Sequence, residues 1–165
     1  MSTITETGPR ISWVRLFMIG VLISWLIALA PLPVWLQPAR PDVPVLLVVY
    51  WVLRKPLQFG IVGAWCVGLM LDGLEGGVLG KHALSLAVVA YATMIIRPRL
   101  AFYTLLQQVG VVMLLAVIDL LLNHWIQSLL GRPVHGWVFL LGCLSTAMCW
   151  PLIASGSRHL RQIEE

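Results

Sequence analysis

The sequence predicts an all-α integral membrane protein folded as a six-helix transmembrane bundle, and three observations predict it. Apolar residues make up 59% of the chain and charged residues only 11%, with a mean hydropathy of +0.91, which suits a bilayer rather than water. Those residues fall into six apolar segments parted by connections rich in proline, glycine and arginine. Finally, the basic residues sort to one side of a membrane when all six segments cross it. The 165 residues leave room for about six spans of roughly 20 residues and none for a soluble domain. The expectation is a single transmembrane domain over 1–165, with cytoplasmic tails at 1–12 and 155–165.

The first segment runs from Trp13 to about Ala30. Arg10 and Arg15 flank it as in a signal peptide, but Pro31 is a poor residue to cleave before, so it reads as an uncleaved helix. Gly20, Ser24 and Ala28 give it a stripe of small residues on which a partner helix can pack. Pro31, Pro33, Pro38, Pro41 and Pro44 follow, and a proline removes an amide donor and crowds the preceding turn, so this stretch is a linker. Asp42 is placed to cap a helix from Val43 to Arg54. Twelve residues make about 18 Å of helix against a hydrocarbon core of about 30 Å, so this second helix is short.

Charge decides whether it crosses. If it does, Arg10, Arg15, Arg54, Lys55, Arg97, Arg99, Arg158 and Arg161 lie inside, with Arg40, Lys81 and Arg132 outside. If it is re-entrant the count becomes four inside against seven outside, which breaks the positive-inside rule. Six spans and two cytoplasmic termini follow. The net charge of +4 then belongs to orienting loops and not to a nucleic-acid surface.

The third and fourth segments, about Leu57 to Leu71 and Val78 to Ile96, meet across a connection holding Gly73, Gly76, Gly77 and Gly80. Gly60, Ala64 and Gly68 fall four apart and form a second smooth face for partner packing. Asp72 is expected to close the third helix, and Ile96-Arg97-Pro98-Arg99 to stop the fourth. Thr104 to Leu130 and His135 to Ala154 complete the set, with a turn at Gly131-Arg132-Pro133 between them. Cys66, Cys143 and Cys149 lie in apolar segments without CxxC spacing and read as small buried packing residues.

An ionisable group at a helix centre costs about 2.5 to 3.5 kcal/mol on insertion scales, so Asp119 needs a reason to be there. Gln108, Asp119, Asn123 and Gln127 share one helical stripe, which must face protein or water. In the six-span arrangement Asp119 lies in the outer half of its helix, near Asp72, His82, His124 and Arg40. These residues, with Asn123, form the candidate outer-half polar site. The structural alternative is that Asp119 pairs locally with Asn123 while Asp72 caps the glycine turn.

Motifs for catalysis are missing. Glu75 to His82 lacks the glycine and hydroxyl of a phosphate loop, no HExxH or GxSxG is present, and His82, His124, His135 and His159 have no metal-ligand spacing. The acids Asp72 and Asp119 come without the glycine-x-glycine-aspartate signature of an intramembrane aspartyl protease. No catalytic residue, metal or cofactor is expected.

The order Arg40-Pro41-Asp42, Val49-Tyr50-Trp51, Gly63, Gly68, Asp72, Gly80, Tyr91, Asp119 and Trp150-Pro151 resembles that of the rod shape-determining protein MreD family over nearly the whole chain. Glu75-Gly76-Gly77 departs from it by placing an acid where small or hydroxyl residues are expected. The resemblance implies a non-enzymatic protein of the bacterial inner membrane, supporting lateral peptidoglycan synthesis with MreC, the MreB filament, RodA and its partner transpeptidase. It also implies a fold similar to the substrate-binding subunits of energy-coupling-factor transporters. Two function classes follow: a scaffold that packs partner helices on its smooth faces and polar stripe, and a subunit that binds a small solute through Arg40, Asp72, Asp119 and His124.

Overall fold

The computed structural model describes residues 13–29, 33, 39–76, 78–100, 102–131 and 140–161, without the side chains of 13–16, 28, 29 and 155–161. They form α1 (Trp13–Leu29), α2 (Val43–Arg54), α3 (Gly60–Glu75), α4 (Lys81–Leu100), α5 (Leu105–Leu129) and α6 (Leu140–Arg161). No strand occurs among the described residues. Helices α4 and α5 are each long and apolar enough to cross a membrane.

The short helix α2 is the hub. It packs against all five others, and Val45, Leu46, Val48, Val49 and Val52 are fully buried. A helix apolar on every side is one that is enclosed, and VPVLLVVYWVLR has that character. Asp42 caps it through a hydrogen bond from the Val45 amide at 3.4 Å, and Pro44 sits in the first turn, where an amide would have no partner. Around this hub the outer faces stay apolar: Leu26, Val62, Leu106, Leu121 and Leu152 are all exposed. Apolar surface on that scale fits a lipid environment.

Contacts at the two ends make successive helices alternate in direction. At one end Arg97 Nε donates to the Leu53 carbonyl at 3.2 Å, and Trp150 Nε1 donates to Gln108 Oε1 at 3.3 Å. The first bond joins the finish of α4 to that of α2, and the second joins the middle of α6 to the start of α5. The other end gathers the later parts of α1 and α3 and the middle of α5 with the start of α2, α4 and α6, and holds the acids and His82.

Several boundaries differ from expectation. Helix α3 does not close at Asp72 but runs to Glu75 and ends on Gly76, whose φ of 62° is the left-handed cap that glycine adopts freely. Asp72 is free to stay helical because its carboxylate serves the next helix instead. Helix α4 starts at Lys81 rather than Val78, and passes through Pro98 to Leu100. In a last turn the missing proline amide removes a single bond, and Arg97 and Arg99 there suit the negative helix end. Helix α6 continues beyond Ala154 to Arg161, and its expected start at His135 lies outside the described residues. Cys143 is buried as expected, whereas Cys66 is exposed on the outer face of α3.

The α3–α4 pair is closely packed because Gly68 lets it be. A Cβ there would come within 2.5 Å of the His82 carbonyl oxygen and the Ala83 nitrogen. The neighbour that meets this smooth face, with the fully buried Ala64, is therefore α4 of the same chain. Gly60 sits at the start of α3 with φ 46° and nothing near it, and Gly20 faces the Leu47 side chain of α2. The side chain of Ala28 is outside the described residues.

Candidate functional site

The acidic end is built from helix termini outward. Asp72, 2% exposed, accepts three backbone amides at the start of α4: Gly80 N at 2.9 Å, His82 N at 3.0 Å and Ala83 N at 3.3 Å. A carboxylate on the first amides of a helix satisfies donors that lack partners and faces the positive end of the dipole. Glu75, beyond the apolar run of α3, accepts from Lys81 Nζ at 3.2 Å and meets His82 Nε2 at 3.1 Å. The hydrogen bond with His82, and the charges of His82 and Lys81, hold its carboxyl down to about 2.

One layer deeper, Asn123 ties α5 to α4. Its Nδ2 donates to Asp119 Oδ2 at 2.8 Å and to Ser85 Oγ at 3.2 Å, and Ser85 Oγ donates on to the His82 carbonyl at 3.2 Å. On the other side the Asp42 amide donates to Thr146 Oγ1 at 2.7 Å, which joins α2 to α6. The Asp42 carboxyl accepts from the Val45 amide at 3.4 Å.

Between these layers lies a cavity of about 250 Å³. Its polar lining comes from Ser24 on α1, Arg40 and Asp42 before α2, Glu75 on α3, His82 on α4 and Thr146 on α6, with Leu71, Ala116 and Leu120 as apolar wall. Ser24 Oγ, Arg40 Nη2 and Asp119 Oδ1 are buried and have no hydrogen-bond partner among the described residues. Buried donors left unmade are costly.

The structure thus brings Arg40 and His82 to the cavity and sets Asp119 and Asn123 directly behind it. Asp72 is near but fully used on the α4 amides. His124 turns to the Leu120 carbonyl at 3.1 Å and does not line the cavity. Sequence reasoning missed Ser24, Asp42, Glu75 and Thr146 as cavity residues. Asp42 carried a signal as a helix cap and Ser24 as part of a small-residue stripe, but neither pattern says what the side chain faces. Among the described residues no three His, Cys, Asp or Glu side chains cluster as a metal site. Nor is any hydroxyl or thiol of the cavity wall held by a histidine or carboxylate side chain as an activated nucleophile would be. The arrangement can bind.

Against known proteins, the family model for the rod shape-determining protein MreD matches residues 10–156. A curated relative, the rod shape-determining protein MreD of Haemophilus influenzae, is 31% identical over 145 residues, covering 86% of this chain and 87% of its own. No solved structure matches. These matches favour the shape-determining reading over the solute-transport one.

Proposed function

Because the chain belongs to the MreD family of rod shape-determining proteins, we propose that it acts without catalysis, as a membrane scaffold subunit of the cell-elongation machinery. In this reading it holds MreC and, through it, the MreB filament, RodA and its partner transpeptidase during lateral peptidoglycan synthesis. It sits in the bacterial inner membrane with six spans and both termini in the cytoplasm. The excess of Lys and Arg on one side supports that orientation and puts the acidic end outside.

The observation that carries the scaffold reading is the use made of the acids. Asp72 anchors three amides of α4, Glu75 ties Lys81 and His82, and Asp119 fixes Asn123 against Ser85. Side chains that a catalyst or carrier would keep free are spent on locking helix ends together, and a locked outward platform is what a docking subunit needs. Purification of the full chain from its native membrane, with mass spectrometry of what accompanies it, tests the reading. MreC should copurify in stoichiometric amount; a folded chain that never brings MreC would overturn it. A C-terminal reporter active only outside the membrane should stay silent, and strong signal would overturn the topology.

A further inference from the structure

The cavity is left with a charge arrangement that the scaffold role does not use. Arg40 Nη2 and Ser24 Oγ are buried donors without partners among the described residues, and Ser24 is only 1% exposed. The Asp42 carboxyl lines the same cavity. Glu75 is already matched by Lys81 and His82. Arg40 and Asp42 thus give the lining one further group of each sign. A lone anion or a lone cation would leave one of them uncompensated in a low-dielectric site, whereas an occupant carrying both signs satisfies each.

Access points to the bilayer. Among the described residues helix α1 packs chiefly along α2, which leaves the flank between Ser24 and the α5–α6 wall with little helix packing across it. Leu71, Ala116 and Leu120 supply apolar surface beside the polar lining. The volume of about 250 Å³ leaves room for a small polar headgroup.

We propose that this cavity seats the headgroup of a zwitterionic phospholipid bearing a primary ammonium, with its phosphate on Arg40 and Ser24 and its ammonium against Asp42. A guanidinium offers a phosphate two parallel donors, and the serine hydroxyl supplies a third. A quaternary ammonium has no N–H to give the carboxyl, and a glycerol headgroup has no cation, so the site discriminates by headgroup.

The test is native mass spectrometry of the full chain taken from nanodiscs of equimolar palmitoyl-oleoyl phosphatidylethanolamine, phosphatidylcholine and phosphatidylglycerol, without MreC. One phosphatidylethanolamine should be retained in clear preference to the other two. Arg40→Ala should weaken its retention by roughly tenfold to a hundredfold, the worth of a charge-assisted hydrogen bond. Arg40→Lys, which keeps the charge without the fork, and Ser24→Ala should fall between, and Arg99→Ala, exposed at the opposite end, should match the unmodified chain. Equal retention of the three lipids overturns the proposal, as does undiminished retention in all three cavity variants. Binding of free phosphoethanolamine with no lipid retained overturns the lipid as its source. A cavity occupied only when MreC is added back assigns it to protein instead.

Discussion

Replacing Gly68 by alanine sets two effects of opposite sign against each other, and the structure decides which wins. In a helix interior alanine is favoured over glycine by about 1 kcal/mol, so the substitution alone would stabilise α3. The added Cβ, however, would stand 2.5 Å from the His82 carbonyl oxygen and from the Ala83 nitrogen. Both are backbone atoms of α4 and cannot rotate aside, so the helices must part by roughly 1 Å to restore ordinary contact, and overpacking of this kind costs about 1–3 kcal/mol. Asp72 lies one turn further along the same face of α3, so the parting also stretches its three bonds to Gly80, His82 and Ala83. The expected balance is a loss of about 1–3 kcal/mol for Gly68→Ala and more for Gly68→Leu. Gly73 supplies the control, since it lies in the same helix with nothing within 4 Å of a Cβ, and Gly73→Ala should gain up to about 1 kcal/mol. Thermal unfolding of the three purified proteins in one detergent, followed by circular dichroism, measures both signs. A Gly68→Ala midpoint at or above that of the unmodified chain would refute the packing account.

Asp72→Ala removes the acceptor for three amides at once and should cost about 3–5 kcal/mol, with Asp72→Asn retaining part of that, again read from unfolding midpoints. For Glu75 the folded value of about 2 lies below the ordinary 4.5, so its contribution is complete above about pH 4.5 and is lost as pH falls toward 2. Glu75→Gln should therefore flatten the stability profile between pH 5 and pH 3 if measured by the same unfolding assay; an unchanged slope would place the titration elsewhere. Asp119→Asn can still accept from Asn123, so it should lower the midpoint less than Asp119→Ala, which takes that acceptor from the Asn123 amide.

The helices themselves were legible because apolar runs and prolines are local signals: Val43–Arg54 is found with its Asp42 cap, and α1 and α5 within one residue at each end. The α3–α4 turn was not, because Asp72 looks like a helix end in sequence and only the fold reveals that it caps the following helix from within its own. Small-residue stripes identify close approach without naming the neighbour, which is why Gly68 pointed to a partner helix and meets Ala83 instead. Arg40, His82, Asp119 and Asn123 stood out as expensive residues in an apolar chain. Ser24 and Thr146 did not, since hydroxyls are cheap in a membrane helix wherever they point.

The shortness of α2 accounts for the cavity. Its twelve residues span about 18 Å, about 12 Å less than the hydrocarbon core. Helix cannot extend upstream through Pro41 and Pro38, so the missing length falls at the N-terminal end. That end shares the cavity wall with Ala116 and Leu120, which flank Asp119, ten residues, or about 15 Å, from the finish of α5. The deficit and the depth agree. An enclosed helix that starts this deep brings its cap, Asp42, and the neighbouring Arg40 into the bundle, and leaves above them a space that a full-length helix would have filled. Asp119, costly anywhere else on α5, lies at this depth and is held by Asn123. The proline-rich linker thus acts at a distance: by stopping α2 early it creates a polar cavity inside an otherwise apolar bundle and supplies the arginine that lines it.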